Sequence, residues 1–347
     1  MAPMTHSSSN ADGTVSEAEL RYYARRAGSV GMVITGSAAV MSNGGFPGQA
    51  SVDRDELISG LSLLASTIRD KGAKAILQIA HGGRKCPPFI KDIVSASPVP
   101  ERAGAVVPRE LTEAEIWAVV RAFGEATRRA IEAGFDGVEI HGANGFLIQQ
   151  FFSPNANQRN DKWGGTLEKR MAFPLEIVRE VQRVASLHAK KPFLIGYRLT
   201  PEETETPGIT MEDTLALVEA IAAEKLHYIH VSQNDFWSVP LQGTGSPRTR
   251  LEIIQECVRH IPVIGAGSIR TAEDAVRAWQ SGIPLIALGR EIVMEPDWLE
   301  KIVEGRENDI KTTLSIYDQH RLAIPDPLWS TIMRVPGWFP VEADGRK

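Results

Sequence analysis

Residues 133–152 read AGFDGVEIHGANGFLIQQFF, and this stretch decides the fold class. Gly134 comes directly after a predicted helix, where a glycine can end the helix in the left-handed conformation. The run Gly137–His141 then predicts a short strand, and the polar sequence HGAN follows at a strand-to-helix turn. Strands that alternate with helices in this way are typical of a parallel α/β fold, in which chemistry sits where the strands end.

The same alternation extends over the rest of the chain. The other predicted strands are Met32–Thr35, Ala75–Ile79, Phe193–Arg198, Tyr228–Val231, Pro262–Gly265 and Leu285–Gly289. Helical periodicity between them predicts helices over 16–26, 54–71, 113–133, 167–184, 211–224, 251–259, 272–280 and 296–302. Three of these helices follow the capping residues Thr112, Thr210 and Thr271. With Met1–Pro3 as the end of an eighth strand, the pattern predicts an α/β single domain over residues 1–347, a closed (β/α)8 TIM barrel with a C-terminal tail from about residue 320.

Composition restricts the class of protein. The net charge of −5 argues against nucleic acid as a partner, and no apolar run is long enough to span a membrane. The N-terminus lacks the features of a signal peptide. Two cysteines, Cys86 and Cys257, are too few for a disulfide framework and have no metal-binding spacing, so we expect a cytoplasmic enzyme with no metal site.

Glycines follow the last two predicted strands and suggest a phosphate site. The segment GAGSIRTAEDA (265–275) places Gly267 and Ser268 just before a helix, and Gly289-Arg290 adds a cation at the next strand end. Backbone N–H groups at a helix start bind anions, and glycines let a phosphate approach closely. Taken alone, the glycines could equally make a tight turn; the pair of motifs favours phosphate.

Polar residues at the other strand ends indicate a heterocyclic ligand. His141 and Asn144 are two donors three residues apart and can polarise one oxygen, although a histidine there could also pack or bind metal. Arg198 lies in a nearly apolar strand, so it either neutralises a carboxylate such as Glu139 or meets an anionic ligand. Gln78 offers the donor and acceptor that a heterocycle edge requires.

Several motifs together resemble the old yellow enzyme family of NAD(P)H:flavin oxidoreductases. They are MAPMTH at the start, LQIAHGGRK at 77–85, the long segment 133–173, and VIGAGSIRTAEDA through ALGREIVMEPDW. The resemblance covers nearly the whole chain in the right order. It implies non-covalent FMN at the top of the barrel, NADPH or NADH as reductant, and hydride transfer from flavin N5 to the activated C=C bond of an enone or nitroalkene.

The resemblance also implies roles for individual residues. Cofactor binding is expected at Pro3, Met4, Thr5, Gly36, Ser37, Gln78, Arg198, Gly267, Ser268, Gly289 and Arg290. The catalytic group is expected to be His141 and Asn144, which hold the substrate oxygen, with Arg198. The substrate pocket is expected to include His141, Asn144, Phe146, Lys85 and Phe236.

Two departures from the family pattern bear on function. The family usually has a proton-donating tyrosine two residues after the asparagine, and Phe146 stands there instead, so solvent or another group is expected to supply the proton. The motif MAPMT normally ends the first strand, but here it begins the chain. We therefore expect a shortened first strand, a partly uncovered barrel floor and lowered stability.

Other interpretations remain open at this point. The chain could be a related flavin barrel that acts as an NADH oxidase or an amine dehydrogenase, or a flavin-binding protein of low turnover. A phosphate-binding aldolase would need a strand that ends in lysine, and none of the predicted strands does. The tryptophan-rich segment DPLWSTIMRVPGWF could fold on its own barrel or contact another subunit, with Arg334 reaching a neighbour in a homodimer or homotetramer.

Overall fold

The computed structural model describes residues 1–241 and 247–342, in which parallel strands alternate with helices. The strands are β1 (Met32–Ile34), β2 (Ala38–Ala39), β3 (Lys74–Ala80), β4 (Val94–Ser95), β5 (Arg109–Glu110), β6 (Gly137–Gly142), β7 (Leu194–Leu199), β8 (Tyr228–Val231), β9 (Val263–Ala266) and β10 (Leu285–Ala287). The helices are α1 (Glu17–Ala24), α2 (Ile58–Arg69), α3 (Glu113–Glu132), α4 (Leu147–Phe152), α5 (Leu167–His188), α6 (Met211–Ala223), α7 (Arg250–Cys257), α8 (Ala272–Gln280), α9 (Arg290–Met294), α10 (Trp298–Val303) and α11 (Asp326–Arg334).

The main sheet runs β1-β3-β6-β7-β8-β9-β10, with every pair parallel, and β2 adds to β3. Residues 1 and 2 join its two edges. The Met1 carbonyl accepts from the Ile34 N–H at 3.2 Å, and the Ala2 N–H donates to the Leu288 carbonyl at 2.8 Å. These residues occupy the eighth position, so the predicted (β/α)8 barrel is confirmed.

The start signals in the sequence correspond to helix ends in the structure. Thr112, Thr210 and Thr271 each make a capping box with an acid three residues later. Such a box satisfies two backbone donors that the first turn would otherwise leave unpaired. Gly134 has φ +83°, as the transition from α3 into β6 requires.

Inward-facing side chains fill the barrel in two layers. The lower layer is apolar and includes Ile34, Ile76 and Ile264, with the ring of Tyr228 between them. Gly196 leaves the space for that ring, because a Cβ there would lie 2.0 Å from Tyr228 Cζ. Two residues beyond Ile76, Gly196 and Tyr228 come Gln78, Arg198 and His230, whose polar side chains form the floor of the candidate site.

The lower end of the barrel is open. An apolar cavity of about 510 Å³ is lined by the first residues of several strands, among them Met1, Met32, Leu194 and Leu285.

The C-terminal tail folds against its own barrel. Leu328 and Ile332 of α11 are buried, and so is Phe339 beyond it. The Leu314 N–H donates to the Pro340 carbonyl at 2.8 Å. Arg334 is exposed, and its predicted reach to a neighbouring subunit stays a prediction.

Candidate functional site

A buried polar cluster forms the upper layer inside the barrel, below the C-terminal ends of β3, β6, β7 and β8. Glu139 lies at its centre and is fully buried. Gln78 Nε2 donates to Glu139 Oε1 at 2.7 Å, and His230 Nδ1 lies 2.9 Å from Glu139 Oε2. Arg198 also acts electrostatically on this carboxylate. One inward side chain from each of the neighbouring strands β3, β7 and β8 thus acts on the carboxylate that β6 carries.

The charges of this cluster follow from its surroundings. Burial alone would raise the pKa of Glu139, but the hydrogen bonds from His230 and Gln78 and the charge of Arg198 lower it, so the carboxylate is ionised. Burial lowers the pKa of His230, and Arg198 lowers it further, so we take His230 as neutral and its Nδ1–H as the donor. Glu139 is therefore a buried anion, and the half-buried Arg198 is the cation that offsets part of its desolvation.

His141 lies at the end of β6 and is held neutral. Burial, with Arg198 as the next cause, lowers the pKa of His141 to about 3. Its Nδ1 accepts the Ala143 N–H at 3.2 Å, so the ring proton sits on Nε2. The ring of Phe146 stacks on His141 with 4.6 Å between the centroids, and Phe46 stacks on the other side of Phe146 at 5.4 Å.

Asn144 is fixed by contacts from the next two strands. Its backbone has φ +57°, and its N–H donates to Thr200 Oγ1 at 2.9 Å. Its side-chain Oδ1 accepts from the Ser232 hydroxyl at 2.8 Å. The Asn144 side chain therefore has its Nδ2 amide as the group available for an external acceptor.

Two cavities open at the top of the barrel. The first, of about 440 Å³, is lined by Thr5, Gly36, Ser37, Phe46, Lys85 and Phe146, among others. The second is a polar cleft of about 750 Å³ that includes Asn144, Arg198, Ser232 and Gln233. Lys85 and Glu101 line both cavities, and their side chains pair at 3.2 Å between them.

The N-terminal segment lies along the first cavity. Gly36 has no room for a side chain, since a Cβ would lie 2.9 Å from the Met4 carbonyl oxygen. Ser37 Oγ accepts from Gln49 Nε2 at 2.8 Å. Pro3 and Met4 lead from the eighth strand position to Thr5, which is exposed at the cavity wall.

The four residues of the predicted phosphate site lie on neighbouring strand ends. Gly267 has φ +113° and Ser268 has φ +55°, and the Ser268 hydroxyl donates to the Asn234 carbonyl at 3.2 Å. A Cβ on Gly289 would lie 3.3 Å from Met4 Sδ. Arg290 Nη1 donates to the Trp338 carbonyl at 3.2 Å, which leaves further guanidinium donors for an anion.

Phe236 was placed in the substrate pocket on the basis of its position after β8, and the structure corrects this. Its side chain is fully buried, and a Cβ on Gly265 would lie 2.5 Å from its ring. The Phe236 N–H donates to the Gly267 carbonyl at 3.0 Å, which turns the ring into the core. The missing side chain of Gly265 provides the space, so Phe236 packs against β9.

Two residues of the site were missed by the sequence analysis. His230 contacts Glu139, and Ser232 contacts both Arg198 and Asn144. Both lie in the segment YIHVS (228–232), in which polar residues alternate with apolar ones. That period of two was a usable signal, since it predicts that His230 and Ser232 share one face of the strand.

The residues fit an FMN that binds across the barrel top. The Nε atom of Arg198 and the Oε1 atom of Gln233 are buried and have no hydrogen-bond partner within the described residues. A donor and an acceptor of this kind suit the pyrimidine edge of a flavin, and the Gly267–Arg290 region suits its phosphate. Within residues 1–241 and 247–342 no cluster of three or more His, Cys, Asp or Glu could hold a metal ion, and no helix is long and apolar enough to cross a membrane.

Curated relatives cover most of the chain. A probable NADH-dependent flavin oxidoreductase, YqiG of Bacillus subtilis (strain 168), is 52% identical over 345 residues, which cover 98% of this chain and 92% of that protein. The NADH:fumarate oxidoreductase of Klebsiella pneumoniae (strain 342) is 40% identical and the NADH:acrylate oxidoreductase of Vibrio harveyi 42%, each over 338 residues. Each of these two matches covers 95% of this chain, but only 36% of the Klebsiella protein and 34% of the Vibrio protein, so the chain spans about a third of the length of either relative.

Solved structures and a family model agree with this grouping. Morphinone reductase in complex with tetrahydroNAD superimposes with a TM-score of 0.76 at 25% identity, covering 88% of this chain and 86% of that one. The old yellow enzyme homologue from Zymomonas mobilis has the same fold, with a TM-score of 0.75 at 24% identity over 88% of both chains. The model of the NADH:flavin oxidoreductase / NADH oxidase family matches residues 1–309. The chain belongs to this family, that of the old yellow enzyme, and is an NAD(P)H-dependent flavin oxidoreductase with FMN as its cofactor.

Proposed function

We propose that the chain reduces activated C=C bonds, as in enones and nitroalkenes, with hydride from NAD(P)H. One observation carries the proposal: the acceptor atoms of His141 and Asn144 are both occupied internally. His141 Nδ1 accepts the Ala143 N–H, and Asn144 Oδ1 accepts the Ser232 hydroxyl. Both side chains are therefore left with an N–H for a ligand oxygen.

Bound FMN supplies the chemistry of taking up a hydride and passing it on. The two N–H groups would donate to the carbonyl or nitro oxygen of the substrate. Negative charge develops on that oxygen as the β-carbon is reduced, and each preorganised donor is worth about 3–4 kcal/mol in such a site. Because the His141 ring is neutral, it acts as a hydrogen-bond donor with no proton to lose at working pH.

The proton for the α-carbon is proposed to come from solvent. Phe146 occupies the position of the usual donor and has none to give, and its ring covers one face of His141. The cleft that contains Asn144 is lined largely by polar side chains and holds about 750 Å³, enough for water beside a small substrate.

The names of two relatives and one cation of the cleft suggest a second type of acceptor. Arg84 lines the cleft together with Asn144 and has no carboxylate partner within 4 Å among the described residues, whereas Lys85 and Arg250 pair with Glu101 and Glu202. Two relatives are named for fumarate and acrylate, whose C=C bonds carry a carboxylate. We therefore include α,β-unsaturated acids among the proposed substrates.

The test is a half-reaction experiment on the purified holoenzyme without oxygen. The visible spectrum is recorded, NADH or NADPH is added, and then 2-cyclohexenone, a nitroalkene, acrylate or fumarate. We expect the flavin spectrum to bleach with the nicotinamide and to return with at least one of the alkenes. Bleaching that returns only with dioxygen would favour an NADH oxidase, and return with none of these acceptors would refute alkene reduction.

We propose that the enzyme acts on small molecules in the cytoplasm, where NAD(P)H is available, as a homodimer or homotetramer. Its two cysteines have no disulfide, and burial raises the pKa of each thiol, to about 12 at Cys86 and about 11 at Cys257. Inert thiols of this kind suit a reducing compartment. Size-exclusion chromatography with light scattering tests the assembly, and a monomer would refute that part.

A further inference from the structure

Ser232 lies between two residues of the site and contacts both. It follows β8 directly and is half-buried. Arg198 Nη2 donates to Ser232 Oγ at 3.1 Å, and Ser232 Oγ donates to Asn144 Oδ1 at 2.8 Å. A continuous chain of hydrogen bonds thus runs from the guanidinium through the hydroxyl to the amide.

The chemistry of the three groups and the two hydrogen bonds in the structure favour one direction for this chain. A guanidinium can only donate, so Ser232 must use a lone pair toward Arg198. The single hydroxyl proton is then free for Asn144, and it needs an acceptor, which the amide provides at Oδ1 and not at Nδ2. The Asn144 amide therefore has one favoured orientation, with Nδ2 turned away from Ser232.

The backbone of Asn144 does not by itself choose this orientation. The bond from its N–H to Thr200 Oγ1 and the φ of +57° fix where the side chain begins. Rotation of the amide by 180° would exchange oxygen and nitrogen at almost the same positions. Only the partner of Oδ1 distinguishes the two, and that partner is Ser232.

We propose that Ser232 is a positioning residue that keeps the Asn144 amide N–H directed at the substrate oxygen, and that it transmits the charge of Arg198 to that amide. This inference rests on the function proposed above. Hydrogen bonds in a chain polarise one another, so the Arg198 cation strengthens the donor at the far end. Without the Ser232 hydroxyl, Asn144 could present its oxygen to the substrate oxygen, which is repulsive.

The test compares Ser232→Ala with wild type in both binding and half-reaction rates. Binding of cyclohexanone to the oxidised holoenzyme is followed by the flavin difference spectrum. Reoxidation of the reduced enzyme is timed with 2-cyclohexenone and, separately, with dioxygen, which has no carbonyl to hold. We expect Ser232→Ala to weaken cyclohexanone binding and to slow cyclohexenone reoxidation by about fivefold to tenfold, the effect of one hydrogen bond. FMN content and reoxidation by dioxygen should not change.

Three further variants make the result specific. Ser232→Thr keeps the hydroxyl and should restore the wild-type values to within about twofold. Ser281→Ala removes another half-buried hydroxyl, one that donates to the Ala278 carbonyl at 2.7 Å far from the site, and should behave as wild type. In an Asn144→Ala background, Ser232→Ala should have no further effect, because its partner is gone.

The outcomes separate this inference from the proposed function. If wild-type enzyme is not reoxidised by any alkene, the proposed function fails whatever Ser232 does. If wild type is reoxidised by cyclohexenone and Ser232→Ala matches it in rate and in cyclohexanone binding, the positioning role is refuted alone. An equal loss from Ser232→Ala in the wild-type and Asn144→Ala backgrounds would also refute it.

Discussion

Replacing Glu139 by alanine should remove the central acceptor of the barrel's upper layer. Glu139 is fully buried and accepts from Gln78 and from His230 at 2.7 and 2.9 Å. Its loss leaves Gln78 and His230 without an acceptor and the half-buried Arg198 without its counter-charge. Each buried donor left unsatisfied costs about 1–3 kcal/mol, so the loss of the acceptor for Gln78 and His230 together is a large part of a total stability of about 5–15 kcal/mol.

The measurement is urea unfolding of the FMN-saturated protein, followed by tryptophan fluorescence. We expect the free energy of unfolding to fall by about 4 kcal/mol in Glu139→Ala. Glu139→Gln should lose about half as much, because its amide oxygen still accepts one bond and neutral His230 can change tautomer to accept another. This variant keeps the test possible if the alanine protein does not fold.

The control is Glu17→Gln in α1, a substitution of the same chemistry at the surface. Glu17 pairs with Arg21 four residues on, and the two side chains are 82% and 59% exposed. Exposed pairs contribute at most about 1 kcal/mol. If Glu139→Ala lowers stability by less than about 1 kcal/mol, or by no more than the control, Glu139 is not the central acceptor of the buried polar cluster.

Three further predictions concern the proton donor, the pH dependence of stability and the phosphate site. Phe146→Tyr should restore a proton donor and speed reoxidation by cyclohexenone at least about tenfold in stopped flow, since a positioned acid raises a rate by a factor of about 10²–10⁴. An unchanged rate would show that protonation at this position is not limiting. Burial lowers the pKa of His81 to about 4 in the folded protein, whereas it is about 6.5 in the unfolded chain. As the pH drops, the unfolded state therefore binds the proton first, and the free energy of unfolding falls between about pH 6.5 and pH 4. At pH 5 the free energy of unfolding is lower by about 2 kcal/mol from this cause. His81→Gln should remove that loss when urea titrations at pH 7 and pH 5 are compared, and an unchanged difference between the two pH values would contradict the prediction. Gly267→Ala would place a Cβ 2.8 Å from the backbone of Asn234, in a residue with φ +113°. We therefore expect FMN to bind at least about tenfold more weakly in a fluorescence-quenching titration. An affinity equal to that of wild type would argue against a phosphate site at Gly267.

The fold could be predicted because its signals are local. Thr112 and Glu115 lie three residues apart, and the capping box they form needs nothing from the rest of the chain. Gly134 ends α3 by its own conformational freedom. Once the alternation of strands and helices is established, parallel topology places every strand end on one side. The positions of His141, Asn144 and Arg198 could therefore be predicted from the order of elements alone.

The contacts within the site were harder to predict because they join distant parts of the chain. Glu139 meets His230 91 residues away, and Ser232 meets Asn144 88 residues away. These pairs depend on how each strand is aligned with its neighbours. A shift of one residue in that register would turn the same side chains to the outside of the barrel.

The sequence by itself determined the alternation, the helix ends, the family and the set of polar residues at the strand ends, because each depends on neighbours along the chain. Only the tertiary structure decided that Phe236 packs against Gly265, that the tail covers its own barrel, and that Ser232 connects Arg198 to Asn144. The physical reason is that a side chain's direction in a barrel follows from strand register and from the space its neighbours leave. Both are properties of the closed barrel and not of any one segment.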